Sequence, residues 1–268
     1  MSAERISLMA HLVAGYPDAS GCRAVADGLV EGGATYLEVQ IPFSDPSADG
    51  PVIRDACSAS LARGFSVADS FSFIAELRAA YPDVPVFVMA YASLVATPGA
   101  DAFVATAKRA GVTGLIVPDL PFDADEGLAQ ACVRSGLVSV PVAAPSMRRE
   151  RLAAMAGLGR PYLYAALRAG ITGSATAIGE DTVAFLAAAG EGGSKVLGGF
   201  GIRSGAQARS VAPYAHAVVA GSVFVNAVAE VVAAQSASRK ADYPGSPRVR
   251  DEAIRRAVRE KAAEITKG

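Results

Sequence analysis

The chain of 268 residues has no tryptophan, only two histidines (His11 and His216) and only three cysteines (Cys22, Cys57 and Cys132). Two histidines argue against a histidine-rich metal centre and leave no spare imidazole for a hydrolase triad. Three widely spaced cysteines without metal-ligand spacing read as free buried thiols in a reducing compartment, not as disulfides or zinc ligands. Neither charge sign is in excess: 25 basic and 26 acidic residues leave a net charge of -1. That balance offers no basic face to a nucleic acid or an anionic membrane. No apolar run approaches the roughly 18 residues needed to span a bilayer. The N-terminal stretch MSAERISLMAHLVAG has Glu4 ahead of a short apolar segment and lacks the cleavage site of a secretory signal. Together these absences point to a cytoplasmic protein.

What the chain does have is apolar bulk, 51% of its residues. Short β-branched runs fall at 8–13, 36–41, 86–91, 114–117, 138–143, 162–165, 195–198 and 217–220. Between them lie segments with three- and four-residue apolar spacing, such as Phe73, Leu77 and Tyr81, or Leu128, Cys132 and Val133. Eight strands alternating with helices in this length predict a single-domain α/β fold, a (β/α)8 TIM barrel with extra helices over residues 1–268. The rival is an open doubly wound sheet, which needs a glycine-rich dinucleotide loop after its first strand; AGYPDAS lacks that spacing. The long gap between the second and third strands predicts an additional helix. Residues 237–247 read as a surface connection, and 248–266 as a C-terminal amphipathic helix.

In such a barrel, chemistry sits at the C-terminal strand ends. The second strand and its loop read LEVQIPFSDPSADGP (residues 37–51). This places Glu38 inside a strand that is otherwise apolar, and adds Asp45 and Asp49 beyond it. A buried carboxylate without a partner is expensive, so Glu38 is a candidate for chemistry rather than solubility. Gln40 shares its face. Later strand ends contribute Tyr91, Asp119, then Tyr164, Arg168, Thr172 and Gly173. The last two contribute glycines around Gly201 and the pair Gly221-Ser222, which opens a short helix. Backbone N–H groups at such a helix start suit a phosphate. For any one glycine a turn or cap is as good a reading; the set favours phosphate. Ser44-Asp45-Pro46 also reads as an ordinary turn, and His216 as a packed or capping residue. Tyr162 and Tyr164 share a face, which fits either a ligand cavity or plain core.

These segments, in order, resemble the tryptophan synthase alpha subunit family. The most specific motif is Glu38 followed by IPFSDPSADGP. YASLV (91–95), PDLP (118–121), RAGITG (168–173), GFGI (199–202) and AGS (220–222) support it. The resemblance implies a cofactor-free barrel lyase that cleaves indole-3-glycerol phosphate to indole and glyceraldehyde 3-phosphate. It implies Glu38 as general acid/base and Asp49 as the carboxylate that holds the indole N–H. It places Gly173, Gly201, Gly221 and Ser222 at the phosphate, and Tyr91, Asp119, Tyr164 and Thr172 along the substrate. It also implies docking on a pyridoxal-phosphate-dependent beta subunit in an alpha2beta2 heterotetramer, with Pro42 and Asp45 at the contact. Four residues depart from the family pattern: His11 for an apolar residue, Gln40 for glycine, Ser93 for asparagine and Leu167 for serine. All four are expected near the site. The departures keep two alternatives open: a free-standing lyase that releases indole, and a catalytically weak subunit that activates a beta-type partner. A different phosphate-sugar barrel, an isomerase acting on an amino-acid precursor, is a third, though it would not need the SDPxADGP loop.

Overall fold

The computed structural model describes residues 6–167, 179–199, 201–238 and 246–267. Among them nine strands form: β1 (Leu8–Val13), β2 (Tyr36–Gln40), β3 (Val86–Met89), β4 (Gly114–Ile116), β5 (Val138–Val140), β6 (Val142–Ala143), β7 (Tyr162–Ala166), β8 (Lys195–Gly199) and β9 (Ala217–Ala220). Every pairing is parallel, in the order β5-β4-β3-β2-β1-β9-β8-β7-β6. The two ends of that order, β5 and β6, are halves of one stave. The sequence predicts one strand over 138–143; Pro141 divides it. A proline has no N–H for the ladder, though its carbonyl still accepts the Tyr164 N–H at 2.9 Å. The ring therefore closes through the chain itself, as an eight-stave barrel.

Alternation along each strand separates two cores. Leu8, Ala10, Leu12, Leu37, Val39, Val86 and Val88 point outward beneath the helices. Met9, Phe87, Met89, Ile116, Val140, Tyr164, Leu197 and Val219 fill the barrel. At its N-terminal end Tyr36, Phe87 and Tyr162 meet edge to face, 5.2–6.2 Å between centroids. His216 Nε2 lies 2.9 Å from Tyr36 Oη, a packed and hydrogen-bonded histidine. The two tyrosines of β7 thus divide the readings open for them. Tyr162 plugs the bottom of the barrel and Tyr164 faces its mouth.

Two helices, Pro51–Ala62 and Val67–Ala80, occupy the long gap between β2 and β3. The second opens on a reciprocal capping box between Ser66 and Asp69, which satisfies two otherwise orphaned N–H groups. On the helix Leu128–Ser135, Val133 is 65% exposed and does not join Leu128 and Cys132 in the core. Four-residue spacing sets the buried stripe there, and Val133 falls off it. The C-terminal helix runs Pro247–Lys267 and packs on Ala19–Glu31 and Ser222–Ser238. Its buried Ile254, Val258, Ala262 and Ile265 recur at four, four and three residues; each large aliphatic among them is worth about 1.5–3 kcal/mol in burial. Among the described residues no helix is long and apolar enough to cross a membrane.

Candidate active site

The β1–β2 register brings His11 and Glu38 side by side. Both stand on the inward face, because Leu12, Leu37 and Val39 take the outward one. His11 Nδ1 lies 3.1 Å from Glu38 Oε2, and both residues are buried. Burial alone would push the imidazole down. The hydrogen bond and charge of Glu38, the charge of Asp49 and the Gln40 amide outweigh it, and hold His11 above its ordinary value of 6.5.

Asp49 reaches the same space from the loop. Its N–H donates to Pro46 carbonyl at 3.0 Å, closing a turn just before the helix Pro51–Ala62. The Asp49 Oδ2 atom accepts Gln40 Nε2 at 2.7 Å and Tyr91 Oη at 2.8 Å. Tyr91 Oη in turn accepts the Ala48 N–H at 3.1 Å, and Phe43 stacks on the Tyr91 ring at 5.1 Å. Burial pushes the Asp49 carboxyl above its ordinary range, against the pull of His11 and of its two donors.

Glu38, Asp49 and His11 line one cavity at the C-terminal mouth, about 560 Å³ counted out to solvent. Its walls are apolar, from Ile53, Met89, Ile116, Val142, Ile202 and Val219. A planar aromatic ring suits such walls, with few polar groups to orient it. Tyr164 stands among them, its hydroxyl seated against Gly199, where a Cβ would collide with it. Burial and the charges of Glu38 and Asp49 push that phenol far up, so it stays neutral. Gly201, Gly221 and Ser222 line the same cavity, the last opening the helix Ser222–Ser238. The N–H groups of its first turn and the helix dipole favour an anion there.

The sequence profile of the family "Tryptophan synthase alpha chain" matches residues 1–247. The chain belongs to this family. It is 39% identical to the tryptophan synthase alpha chain of Laribacter hongkongensis over 239 residues, 89% of this chain and 90% of that one. It is 36% identical to that of Helicobacter hepaticus over 250 residues, 91% and 93% of the two chains. Among solved structures it is similar to the tryptophan synthase complex from Pyrococcus furiosus, at a TM-score of 0.79 and 26% identity, covering 98% of each chain.

Within this member of the family the expected site residues separate. Glu38, Asp49, Tyr164, Gly201, Gly221 and Ser222 line the cavity, and Tyr91 stands behind Asp49. Asp119 is exposed and accepts the Ala92 N–H at 2.9 Å, at the start of the helix Ala92–Ala96. Asp45 is exposed, with Ser44 Oγ donating to it at 3.2 Å, whereas Pro42 is buried. Arg168, Thr172 and Gly173 lie outside the described residues. The helix at Ser222 is 17 residues, not a short one. Of the four departures only His11 and Gln40 reach the site. Ser93 is exposed on its helix, and Leu167 packs into the outer core. Sequence reasoning does not pair His11 with Glu38, because the pairing follows from the register between β1 and β2. All three cysteines are free and buried, and among the described residues no cluster could hold a metal ion.

Proposed function

We propose that this chain cleaves indole-3-glycerol phosphate to indole and glyceraldehyde 3-phosphate by a retro-aldol reaction, in tryptophan biosynthesis. One observation carries the reading: two buried carboxylates and a helix N-terminus line the same apolar cavity. The phosphate sits at Gly201, Gly221 and Ser222; the family resemblance alone assigns Gly173 to the phosphate and Thr172 to the substrate. The indole ring lies between the apolar walls, beside Tyr164, with its N–H on Asp49. Asp119 and Tyr91 support this geometry from behind: Asp119 by fixing the helix after β3, Tyr91 by holding Asp49. Glu38 gives a proton to the ring carbon that carries the side chain. The ring nitrogen becomes cationic, and Asp49 offsets that charge. The Glu38 carboxylate then takes the proton of the adjacent hydroxyl, a carbonyl forms, and the carbon–carbon bond breaks with its electron pair returned to the ring. One group acts as acid and then as base, so no proton is consumed.

A beta subunit carrying pyridoxal phosphate is the proposed partner, in an alpha2beta2 assembly, and the setting is cytoplasmic. Exposed Asp45 suits the contact; buried Pro42 would shape the loop that presents it. The presence of both carboxylates on one wall favours a competent lyase over a subunit kept only to activate its partner. The test is steady-state indole release by the purified chain, with and without the beta subunit. Glu38→Gln should retain the fold and lose about 10²–10⁴ in turnover. A Gln variant with near-normal turnover would remove Glu38 from the mechanism, and an absence of indole release under both conditions would remove the reaction.

A further inference from the structure

We infer that His11 is a positioning residue for Glu38: its Nδ1 holds the carboxylate on the cavity wall and stores, one hydrogen bond away, the proton that cleavage needs. The inference rests on the lyase reading above. It goes beyond it, because the family pattern places an apolar residue at this position, which could do neither.

Four observations support it. The strand register fixes the two backbones side by side, so the 3.1 Å contact is built into the sheet. The pair is buried, with side-chain exposures of 6% and 4%, so water competes little for either group. Gly221 leaves the ring its place, since a Cβ there would stand 3.0–3.1 Å from the His11 side chain. Among the described residues, the buried polar side-chain atoms without a hydrogen-bond partner are His11 Nε2 and Gln40 Oε1. The contact that holds the imidazole is therefore the one between Nδ1 and Glu38.

The groups that face His11 favour a bound proton. Glu38 does so from β2, Asp49 from the loop beyond it, and the Gln40 amide adds to them. Tyr164, from β7, stays neutral. Gly221 presents no titratable group, and no Lys or Arg is among the described residues of the cavity wall. The proposed resting pair keeps its proton on His11 Nδ1, beside Glu38 Oε2. In the reaction the Nδ1 proton moves to Glu38, and Glu38 passes its proton to the ring carbon. After the carbon–carbon bond breaks, the proton taken from the hydroxyl returns through Glu38 to Nδ1. One proton leaves the pair and one comes back.

The consequence is a particular pH dependence. Activity requires one proton on the pair, and His11 retains it to a pH above 6.5, the ordinary imidazole value. In His11→Phe that proton must sit on Glu38 alone. The basic limb of the kcat/KM profile should then move to lower pH, and activity should fall about tenfold for each pH unit beyond the new limb. His11→Asn restores a hydrogen bond to Glu38 but no titrating group. It should recover activity at low pH without recovering the wild-type limb. Superimposable profiles for wild type and both variants would overturn the proposal. A readout independent of turnover is the imidazole NMR titration, with His216→Gln assigning the two signals. His11 should titrate above 6.5 in the wild type and fall in Glu38→Gln, where burial dominates. A His11 signal at or below 6.5, unmoved by Glu38→Gln, would also overturn it. Failure of indole release with the titration intact would instead remove the lyase reading and leave the pair standing.

Discussion

Gln40 Nε2 and Tyr91 Oη converge on a single oxygen, Asp49 Oδ2, at 2.7 and 2.8 Å. Two donors on one oxygen fix both the position of the carboxylate and the rotation of its plane. Gln40 is held in turn by a second contact, 3.5 Å from Cys57 Sγ. A glycine at this place, as the family pattern has it, would supply no donor. Here the side chain that departs from the pattern is part of what holds the proposed indole anchor.

Gln40→Gly should therefore weaken the anchor without emptying the site. Asp49 keeps Tyr91 but loses its other donor, and its carboxyl rises further because that bond favoured the ionised form. Hydrogen bonds to charged groups are worth about 1.5–3 kcal/mol. The expected result is a KM raised about tenfold, corresponding to about 1.4 kcal/mol, with kcat less affected. Steady-state kinetics on the purified variant measures both. An unchanged KM would mean that Asp49 is held by Tyr91 and the loop alone.

Asp49 itself should trade stability for activity. Its carboxyl is pushed up by burial, so its folded value lies above its unfolded one. For a carboxyl shifted in this direction the sign is fixed. At pH above the folded value the ionised group destabilises the fold, and the penalty is relieved as pH falls through that value. Asp49→Asn removes the charge and keeps the shape. Its urea midpoint should exceed that of the wild type at pH 8, and the difference should close as the pH is lowered. Indole release should fall by about 10²-fold or more, since the cationic ring loses its counter-charge.

Much of this was legible in the sequence, for physical reasons that can be named. Strand positions follow from β-branched runs, and the inward position of Glu38 from alternation with Leu37 and Val39. The break at Pro141 was legible too, since proline cannot donate to a ladder, yet the apolar run across 138–143 masked it. What could not be read was contact between residues distant in the chain. That His11 meets Glu38, 27 residues on, depends on the stagger between two strands. That Asp119 faces the Ala92 N–H, and not the cavity, depends on how a loop turns. Ser93 and Leu167 are close in sequence to site segments, but Ser93 is exposed on the helix after β3 and Leu167 continues the outward alternation of Leu163 and Ala165.

The C-terminal helix is tied to the barrel by Arg250, whose guanidinium donates to both oxygens of Asp18 at 2.5 and 2.8 Å. Asp18 also caps the helix Ala19–Glu31, accepting the Gly21 N–H at 2.9 Å. Partial burial would raise its carboxyl, but Arg250 and the Gly21 N–H outweigh that and hold it below its ordinary value. The sign is the reverse of that at Asp49. The stability is present above the unfolded carboxylate value, near 3.8, and is lost as pH falls through the folded one. With Asp18 one-third exposed, water and salt screen the pair, and about 1 kcal/mol is a suitable expectation. Arg250→Met keeps the apolar stem against the helix and removes the charge. Its urea midpoint should drop at pH 7 with an unchanged slope, and approach that of the wild type at acid pH, below the lowered Asp18 value. A loss of equal size at both pH values would assign the effect to packing of the Arg250 stem and not to the ion pair.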